Sequence, residues 1–167
     1  PFVLASFHGD TNGLATIPVV KAVVATHDTF AGSKPAPRLV FGLDANTYFK
    51  PKKGVVQDVA GFQSFLDEAG LASCWGDERP PPETTRNART YMQPQLSKAA
   101  SSSEIATKGD VNPKDFVLFH PSVLSVEGGG GPVRDNTGER KYTKDMVFPT
   151  LTFPSDHAVL SVVLKVL

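Results

Sequence analysis

The chain has 167 residues, of which 40% are hydrophobic and 20% are charged, a composition ordinary for one globular domain with a buried core. Lysine plus arginine and aspartate plus glutamate each number 17, so the zero net charge argues against non-specific nucleic-acid binding, although not against a local basic groove. The single cysteine, Cys74, excludes an internal disulfide, and no Cys/His cluster indicates a zinc site. No apolar run approaches the ~20 residues that a membrane-spanning helix needs.

The first predicted elements are a strand, a helix and a second strand. Residues 2–7 form a short apolar run that ends at a turn, which predicts a buried strand. After a loop that extends to Thr16, apolar residues recur at helical spacing over 19–30, and Thr16 is the expected cap of this helix. Residues 38–42, which are apolar after Arg38, predict a second buried strand.

The middle of the chain predicts a loop, a second helix and a short strand. Residues 44–54 are rich in polar and turn-forming residues. Residues 55–69 predict an amphipathic helix that ends at Gly70. Residues 71–75 are compatible with a strand, and residues 76–114 are predicted to be mostly loop.

The last third of the chain predicts further strands. Residues 115–119 are an apolar strand, 128–131 a glycine-rich hinge or loop tip, and 158–167 a strongly apolar final strand. Helices and strands alternate early in the chain, and strands dominate later. The expected fold class is therefore α+β, with a mixed sheet and helices on an outer face.

Polar side chains able to handle a phosphate and a metal ion lie at the ends of three of the predicted strands. They lie in Ser-Phe-His-Gly-Asp at 6–10, Phe-Gly-Leu-Asp-Ala-Asn at 41–46 and Phe-Pro-Ser-Asp-His at 153–157. Each motif alone is weak, because Asp-x-Asn at a strand end is commonly a turn and a lone histidine is commonly an ordinary loop residue. The three together, in this order, favour a functional site.

The order and spacing of these motifs resemble the endonuclease/exonuclease/phosphatase superfamily, whose members include Mg²⁺-dependent phosphoester hydrolases. The family's Gly-Asp-x-Asn is matched by residues 43–46, with leucine in place of glycine, and its terminal Ser-Asp-His is matched in full by residues 155–157. His8 matches the family's upstream histidine, and Asp115, at the start of an apolar strand, matches a further acidic motif. The preceding Pro154 is most similar to the deadenylase-like branch.

These residue types suit cleavage of a phosphoester by a metal-activated water. Mg²⁺ neutralises phosphate oxygens and needs only one or two carboxylates, because it keeps several waters. Asp44 is expected to orient or deprotonate the attacking water, and Asn46 to bind a phosphate oxygen or to lie near the metal. His8 and His157 are expected to donate hydrogen bonds to the charge that develops in the transition state.

The resemblance implies the remaining site roles. Asp115 is expected to hold the ring of His157, which leaves Asp156, together with Asp44, to face the metal. Mg²⁺ is the expected ion, and Mn²⁺ is an alternative. Catalytic roles are thus implied for His8, Asp44, Asn46, Asp115 and His157, and substrate contacts for His8 and Asn46.

The resemblance also implies the fold and a partner. Residues 1–167 match the C-terminal half of one domain, a deoxyribonuclease I-like α/β/β/α sandwich of four layers. The family's N-terminal half supplies an Asn and a metal-binding Glu, which have no counterpart in these residues. An N-terminal half or another chain is therefore expected to cover the inner face of the sheet.

Two arginines outside the motifs are candidates for a phosphate clamp, because a guanidinium matches phosphate geometry. They are Arg86 and Arg89, and the acidic residues nearby make a solvated loop the alternative.

The function also has alternatives. The substrate is nucleic acid, or a phosphorylated lipid or small molecule. A non-catalytic member of the same fold, acting as a structural or interaction subunit of a larger assembly, is the alternative that the leucine in the second motif and the neutral net charge support.

Overall fold

The computed structural model describes residues 1–50, 52–87, 109–129 and 131–167. Within these ranges the chain forms two α-helices, a short 3-10 helix and ten strands, which confirms the α+β class. In chain order the α-helices and strands are β1 (Phe2–His8), α1 (Thr16–Asp28), β2 (Arg38–Asp44), α2 (Val59–Glu68), β3 (Ala72–Ser73), β4 (Thr85–Asn87), β5 (Asp110–Asn112), β6 (Asp115–Phe119), β7 (Leu124–Val126), β8 (Val133–Asp135), β9 (Val159–Ser161) and β10 (Leu164–Val166).

A four-stranded mixed sheet in the order β1–β2–β6–β3 is the main layer. β1 and β2 are parallel, whereas β6 is antiparallel to both β2 and β3. Neighbouring parallel strands need a crossover connection, which explains why a helix lies between β1 and β2 in the chain. The other described strands form three antiparallel pairs, β4 with β5, β7 with β10 and β8 with β9.

The hydrophobic core lies between the main sheet and the two α-helices. Successive residues of a strand point to opposite faces, so alternate side chains of β2 and β6 reach this core. Its buried members are Leu39, Phe41, Leu43, Phe116 and Leu118 from the sheet and Val20, Val59, Phe62 and Leu66 from the helices. The rings of Phe62 and Phe116 meet edge to face with centroids 5.1 Å apart, a geometry that aromatic pairs favour.

The opposite face of the main sheet is covered less completely. Val117 and Leu160 are half-buried there and line a shallow cavity together with Gly42. On β1, the side chains of Phe2 and Leu4 are 51% and 77% exposed. Within this chain the predicted first strand is therefore buried on one face only, because β1 lies at the edge of the sheet and packs on the core with alternate residues.

Helix α1 begins earlier than its apolar pattern indicates. Thr16 is its first residue, so Ala15 and not Thr16 takes the capping position. The Thr16 hydroxyl donates instead to the carbonyl oxygen of Ala45, at 2.8 Å, and thereby joins the helix to the loop after β2.

Helix α2 begins later than the predicted start at Val55. Asp58 caps the helix by accepting a hydrogen bond from the Gly61 N–H at 2.8 Å, and Val59 is the first helical residue. The α-helices contain 13 and 10 residues, and no helix in the described part of the chain is long and apolar enough to cross a membrane.

Two stretches contain strands that the sequence does not predict. Within 76–114, β4 and β5 pair with each other. Both strands are mostly polar, so they lack the alternation of apolar and polar residues by which a strand is recognised in a sequence. The predicted final strand 158–167 is two short strands with different partners, β9 with β8 and β10 with β7. Residues 88–108 of the predicted loop and residue 130 of the predicted hinge lie outside the described residues.

The loop between β1 and α1 requires glycine at residue 13, where φ is +70°. A Cβ there would lie 2.6 Å from the carbonyl oxygen of Asn46, closer than such atoms pack. We expect Gly13→Ala to destabilise the protein more than Gly70→Ala, because Gly70 has a similar φ of +65° but open space around it. The control should cost about 1 kcal/mol and Gly13→Ala at least ~1 kcal/mol more, measured as the free energy of unfolding in urea. Equal costs would contradict this close approach.

Candidate active site

The register of the main sheet places three of the predicted site residues in one row. His8 of β1 pairs with Asp44 of β2, and Asp44 pairs with Asp115 of β6. Paired residues of neighbouring strands point to the same face, so the three side chains share the face opposite to the helices. β1 and β2 end at this row and β6 begins there, which puts the polar residues at one end of the sheet.

The backbone of Thr84 and Thr85, at the start of β4, holds His157 and Ala158 beside this row. The Ala158 N–H donates to the carbonyl oxygen of Thr84 at 2.8 Å, and Thr85 and His157 form an isolated antiparallel bridge. The Thr84 hydroxyl joins the same segment to β6, because it donates to the Asp115 carboxylate at 2.5 Å and accepts from the Asp115 N–H at 3.0 Å. The last motif is thus held against the sheet despite its distance in sequence.

A cleft of about 240 Å³ opens at this end of the sheet. The side chains that the motifs predict to converge all line it, namely His8, Asp44, Asn46, Asp156 and His157. The other lining residues in the described part of the chain are Thr11, Thr85, Asn87, Asp110 and Lys114. The structure therefore brings the residues of the three motifs together in one strongly polar cleft.

The Asp44 carboxylate contacts most of the other site residues. Its Oδ2 lies 3.6 Å from Nε2 of His8 and 3.7 Å from Nε2 of His157. Asn46 donates to Oδ1 from its backbone N–H at 2.8 Å and to Oδ2 from Nδ2 at 3.0 Å. Burial raises the pKa of Asp44, and the charge of His157 and the backbone hydrogen bond from Asn46 oppose this shift only in part.

The expected hydrogen bond between Asp115 and His157 is present. Nδ1 of His157 lies 2.9 Å from Oδ2 and 3.1 Å from Oδ1 of Asp115. This contact fixes the ring so that Nε2 faces Asp44. Burial favours the neutral ring, but the hydrogen bond to Asp115 and the charges of Asp115, Asp44 and Asp156 outweigh it and raise the pKa of His157.

His8 and Asp156 form the exposed rim of the cleft. The His8 side chain is 84% exposed, whereas that of His157 is 23% exposed. Asp156 is also exposed, and it accepts a long hydrogen bond from Nδ2 of Asn87 at 3.5 Å. Both rim residues are therefore accessible to a molecule in the cleft.

Donors for a metal ion are grouped in and beside the cleft. One ligand atom each from Asp44, Asp115 and His157 lies within 4.8 Å of the others, close enough to hold an ion. Asp115 is already bonded to Nδ1 of His157 and to the Thr84 hydroxyl. An ion that leaves these bonds intact would have Asp44, Nε2 of His157 and the exposed Asp156 as available donors.

Asn46 combines an uncommon backbone conformation with a fully hydrogen-bonded side-chain amide. Its φ is +47°, in the left-handed region that asparagine tolerates better than most residues. Nδ2 donates to the Gly9 carbonyl and to Asp44, both at 3.0 Å, and Oδ1 accepts from Nζ of Lys114 at 2.8 Å. Asn46 is 5% exposed with its amide groups all paired, so it orients Asp44 and does not offer the free donor expected for substrate binding.

Lys114 is a site residue that sequence reasoning missed. Its side chain is 5% exposed, and Nζ donates to Asn46 Oδ1 at 2.8 Å and to Asp110 Oδ2 at 2.7 Å. Nζ also lies 5.0 Å from the centre of the Tyr48 ring, within range of a cation–π contact. The residue falls in a predicted loop, and its one sequence signal is its place directly before Asp115.

Arg86 lies away from the cleft, which corrects the expectation that it binds the substrate. It is the middle residue of β4, and its two neighbours in the strand line the cleft, so alternation directs Arg86 to the other side. There its guanidinium pairs with Glu83 at 3.3 Å and with Asp145 at 3.1 Å. Arg89, the other expected phosphate ligand, lies outside the described residues.

No protein-family model matches this chain, and no curated protein matches it significantly. The family resemblance accordingly depends on the three motifs and on the chemistry that they suit.

We expect Asp115→Asn to lower the pKa of His157, because the substitution removes the carboxylate that stabilises the protonated ring. A histidine whose pKa is higher in the folded than in the unfolded state stabilises the protein. Its contribution to the free energy of unfolding is fully present below the unfolded-state pKa of ~6.5 and is lost as pH rises through the folded-state pKa. The variant should therefore be least stable relative to wild type below pH ~6.5, and the difference should shrink as pH rises through the wild-type pKa of His157.

NMR titration of the His157 ring and urea unfolding at several pH values measure these two effects. Asp28→Asn is the matched control, because Asp28 lies 3.4 Å from a different histidine, His27, and should leave the pKa of His157 unchanged. A His157 pKa that is equal in wild type and Asp115→Asn would contradict the assigned role of Asp115.

Proposed function

We propose that this chain is part of a Mg²⁺-dependent phosphoester hydrolase with water as the nucleophile. The observation that carries the proposal is the Asp44 carboxylate, which lies 3.6 Å from Nε2 of His8 and 3.7 Å from Nε2 of His157. A carboxylate beside two imidazoles combines an acceptor for a proton of water with donors for phosphoryl oxygens. The proposed substrate is nucleic acid, or a phosphorylated lipid or small molecule.

In the proposed reaction Asp44 orients the attacking water and accepts its proton. The two hydrogen bonds from Asn46 restrain both of its oxygens and fix the direction from which it meets the water.

The two histidines act on the phosphoryl group. With Asp115 on Nδ1, Nε2 of His157 can donate a hydrogen bond to a phosphoryl oxygen and a proton to the leaving oxygen. The exposed ring of His8 lies on the rim of the same cleft and is accessible to a second phosphoryl oxygen. Both interactions strengthen as negative charge develops.

Asp44 and Asp156 would hold the Mg²⁺ ion, with Mn²⁺ as an alternative. When bound, the ion would neutralise the phosphate oxygens and stabilise the leaving oxygen. Asp156 can approach an ion at little cost, because its hydrogen bond from Asn87 is 3.5 Å long.

The proposal extends to the fold, for which we propose the C-terminal half of a deoxyribonuclease I-like α/β/β/α sandwich. The helices cover one face of the main sheet, and the other face exposes Phe2 and Leu4. Apolar side chains on a sheet face are normally covered by a second layer. The proposed cover is the N-terminal half of the domain or another chain.

A non-catalytic subunit of the same fold is the second candidate. The exposed Phe2 and Leu4 support it as well, because an assembly surface is useful with or without catalysis. Cleavage assays distinguish the two candidates directly.

We expect Asp44→Ala and His157→Ala each to lower Mg²⁺-dependent cleavage by ~10²–10³-fold in the complete protein, because each removes a group that acts on the transition state. kcat/KM is measured against single-stranded DNA and RNA, phosphoinositides and phospholipid headgroups, with EDTA to remove the metal. Asp67→Ala is the matched control, since Asp67 is an exposed acid paired with Arg79 at 2.6 Å, and it should retain the wild-type rate.

Unchanged cleavage by Asp44→Ala would remove this residue from the mechanism. If the wild-type protein cleaves no member of the panel, the non-catalytic candidate replaces the hydrolase.

A further inference from the structure

Lys114 is a buried cation at the floor of the cleft that the proposed reaction does not use. Its side chain is 5% exposed, and Nζ lies 2.7 Å from Asp110 Oδ2 and 2.8 Å from Asn46 Oδ1. Burial of an ammonium group is unfavourable unless the charge is paired and hydrogen-bonded. Asp110 supplies the paired charge, and Oδ1 of Asn46 accepts from a second of the three N–H donors of the ammonium group.

The contact with Asn46 determines which way its amide faces. Nδ2 donates to the Gly9 carbonyl oxygen and to the Asp44 carboxylate, and these two partners only accept. Lys114 only donates, and it faces the amide oxygen. A flipped amide would place its oxygen against two acceptors and its NH₂ group against the ammonium, so the observed orientation is the only one in which all these contacts are favourable.

We propose that Lys114 is a positioning residue for Asp44, which it reaches through the Asn46 amide while Asp110 anchors it. The chain of contacts from Asp110 to Lys114, Asn46 and Asp44 consists of hydrogen bonds of 2.7, 2.8 and 3.0 Å. The effect of Lys114 on catalysis rests on the proposed hydrolase function, whereas its effect on the Asn46 amide does not.

The first test is the kinetics of Lys114→Met, which keeps the length of the stem and removes the charge and the donors. Loss of a direct hydrogen-bond partner of a metal-binding carboxylate typically lowers activity ~10–100-fold, and because Lys114 acts one contact further away, the lower end of this range, ~10-fold, applies. We expect a decrease of this size in kcat with KM nearly unchanged, because Lys114 orients the base and does not hold the substrate. Lys141→Met, at a lysine whose side chain is 73% exposed, is the matched control and should retain the wild-type kcat.

The second test asks whether Lys114 acts through Asn46. Asn46→Gly removes the amide and tolerates the positive φ of this position. If Lys114 acts through this amide, the double variant Lys114→Met/Asn46→Gly should lose no more activity than Asn46→Gly alone. Multiplied losses, or a rise in KM in Lys114→Met, would overturn the proposal in favour of direct contact with the substrate.

The third test needs no activity and therefore separates this proposal from the hydrolase proposal. The side-chain NH₂ signals of Asn46 are assigned by NMR as those missing in Asn46→Gly. Both protons are hydrogen-bonded in the wild type, and we expect them to shift and to exchange faster with water in Lys114→Met. The same change is expected even if the wild-type protein cleaves no phosphoester.

Lys114→Gln, which is shorter and neutral, replaces Lys114→Met in every test if the latter does not fold. Unaltered Asn46 signals in a folded Lys114 variant would overturn the proposal, and so would a wild-type kcat in such a variant of an active enzyme. Reduced thermal stability without either change would mean that Lys114 serves the fold alone.

Discussion

The pairing of β2 with its two neighbours is the constraint on which the site depends. Asp44 is opposite His8 on one side and Asp115 on the other, while the preceding Leu43 pairs with Phe116 and points to the core. A one-residue slip would exchange the two faces of a strand, so burial of the apolar row also fixes the polar row. Burial of the core side chains, which lie outside the cleft, therefore places the site residues at one edge of the sheet.

Charge balance within the cleft explains why a cation suits it. Among the described residues, Asp44, Asp110 and Asp156 line the cleft together with one lysine, Lys114, and Asp110 already pairs with that lysine. The remaining carboxylates repel a phosphate unless another positive charge is present. A divalent ion would offset this repulsion, and protonated histidines would add to the effect. The same carboxylates that would favour a metal would therefore make binding of the proposed phosphate substrate depend on that metal.

The parts of the fold that sequence could predict are those with an apolar pattern. β1, β2 and β6 are runs of apolar residues with a polar residue at the site end, which is why the motifs on them could be located. β4 and β5 consist largely of polar residues, so neither they nor the outward direction of Arg86 could be foreseen. Lys114 contacts Asn46 across 68 positions in sequence, and no local pattern reports such a contact. The paired state of the Asn46 amide depends on that same distant lysine.

The Thr84 hydroxyl has a consequence for how this region tolerates change. It donates to the Asp115 carboxylate and accepts from the backbone N–H groups of Lys114 and Asp115, at 2.5, 2.9 and 3.0 Å, which uses its full hydrogen-bonding capacity. Asp115, which orients the His157 ring, and Lys114, which contacts the Asn46 amide, are adjacent in sequence, and both are bonded to this hydroxyl. An insertion or deletion between β5 and β6 would therefore displace both Asp115 and Lys114, and with them the contacts to His157 and Asn46. Length variation among related sequences should be excluded from this short connection and tolerated in the exposed loops beyond it.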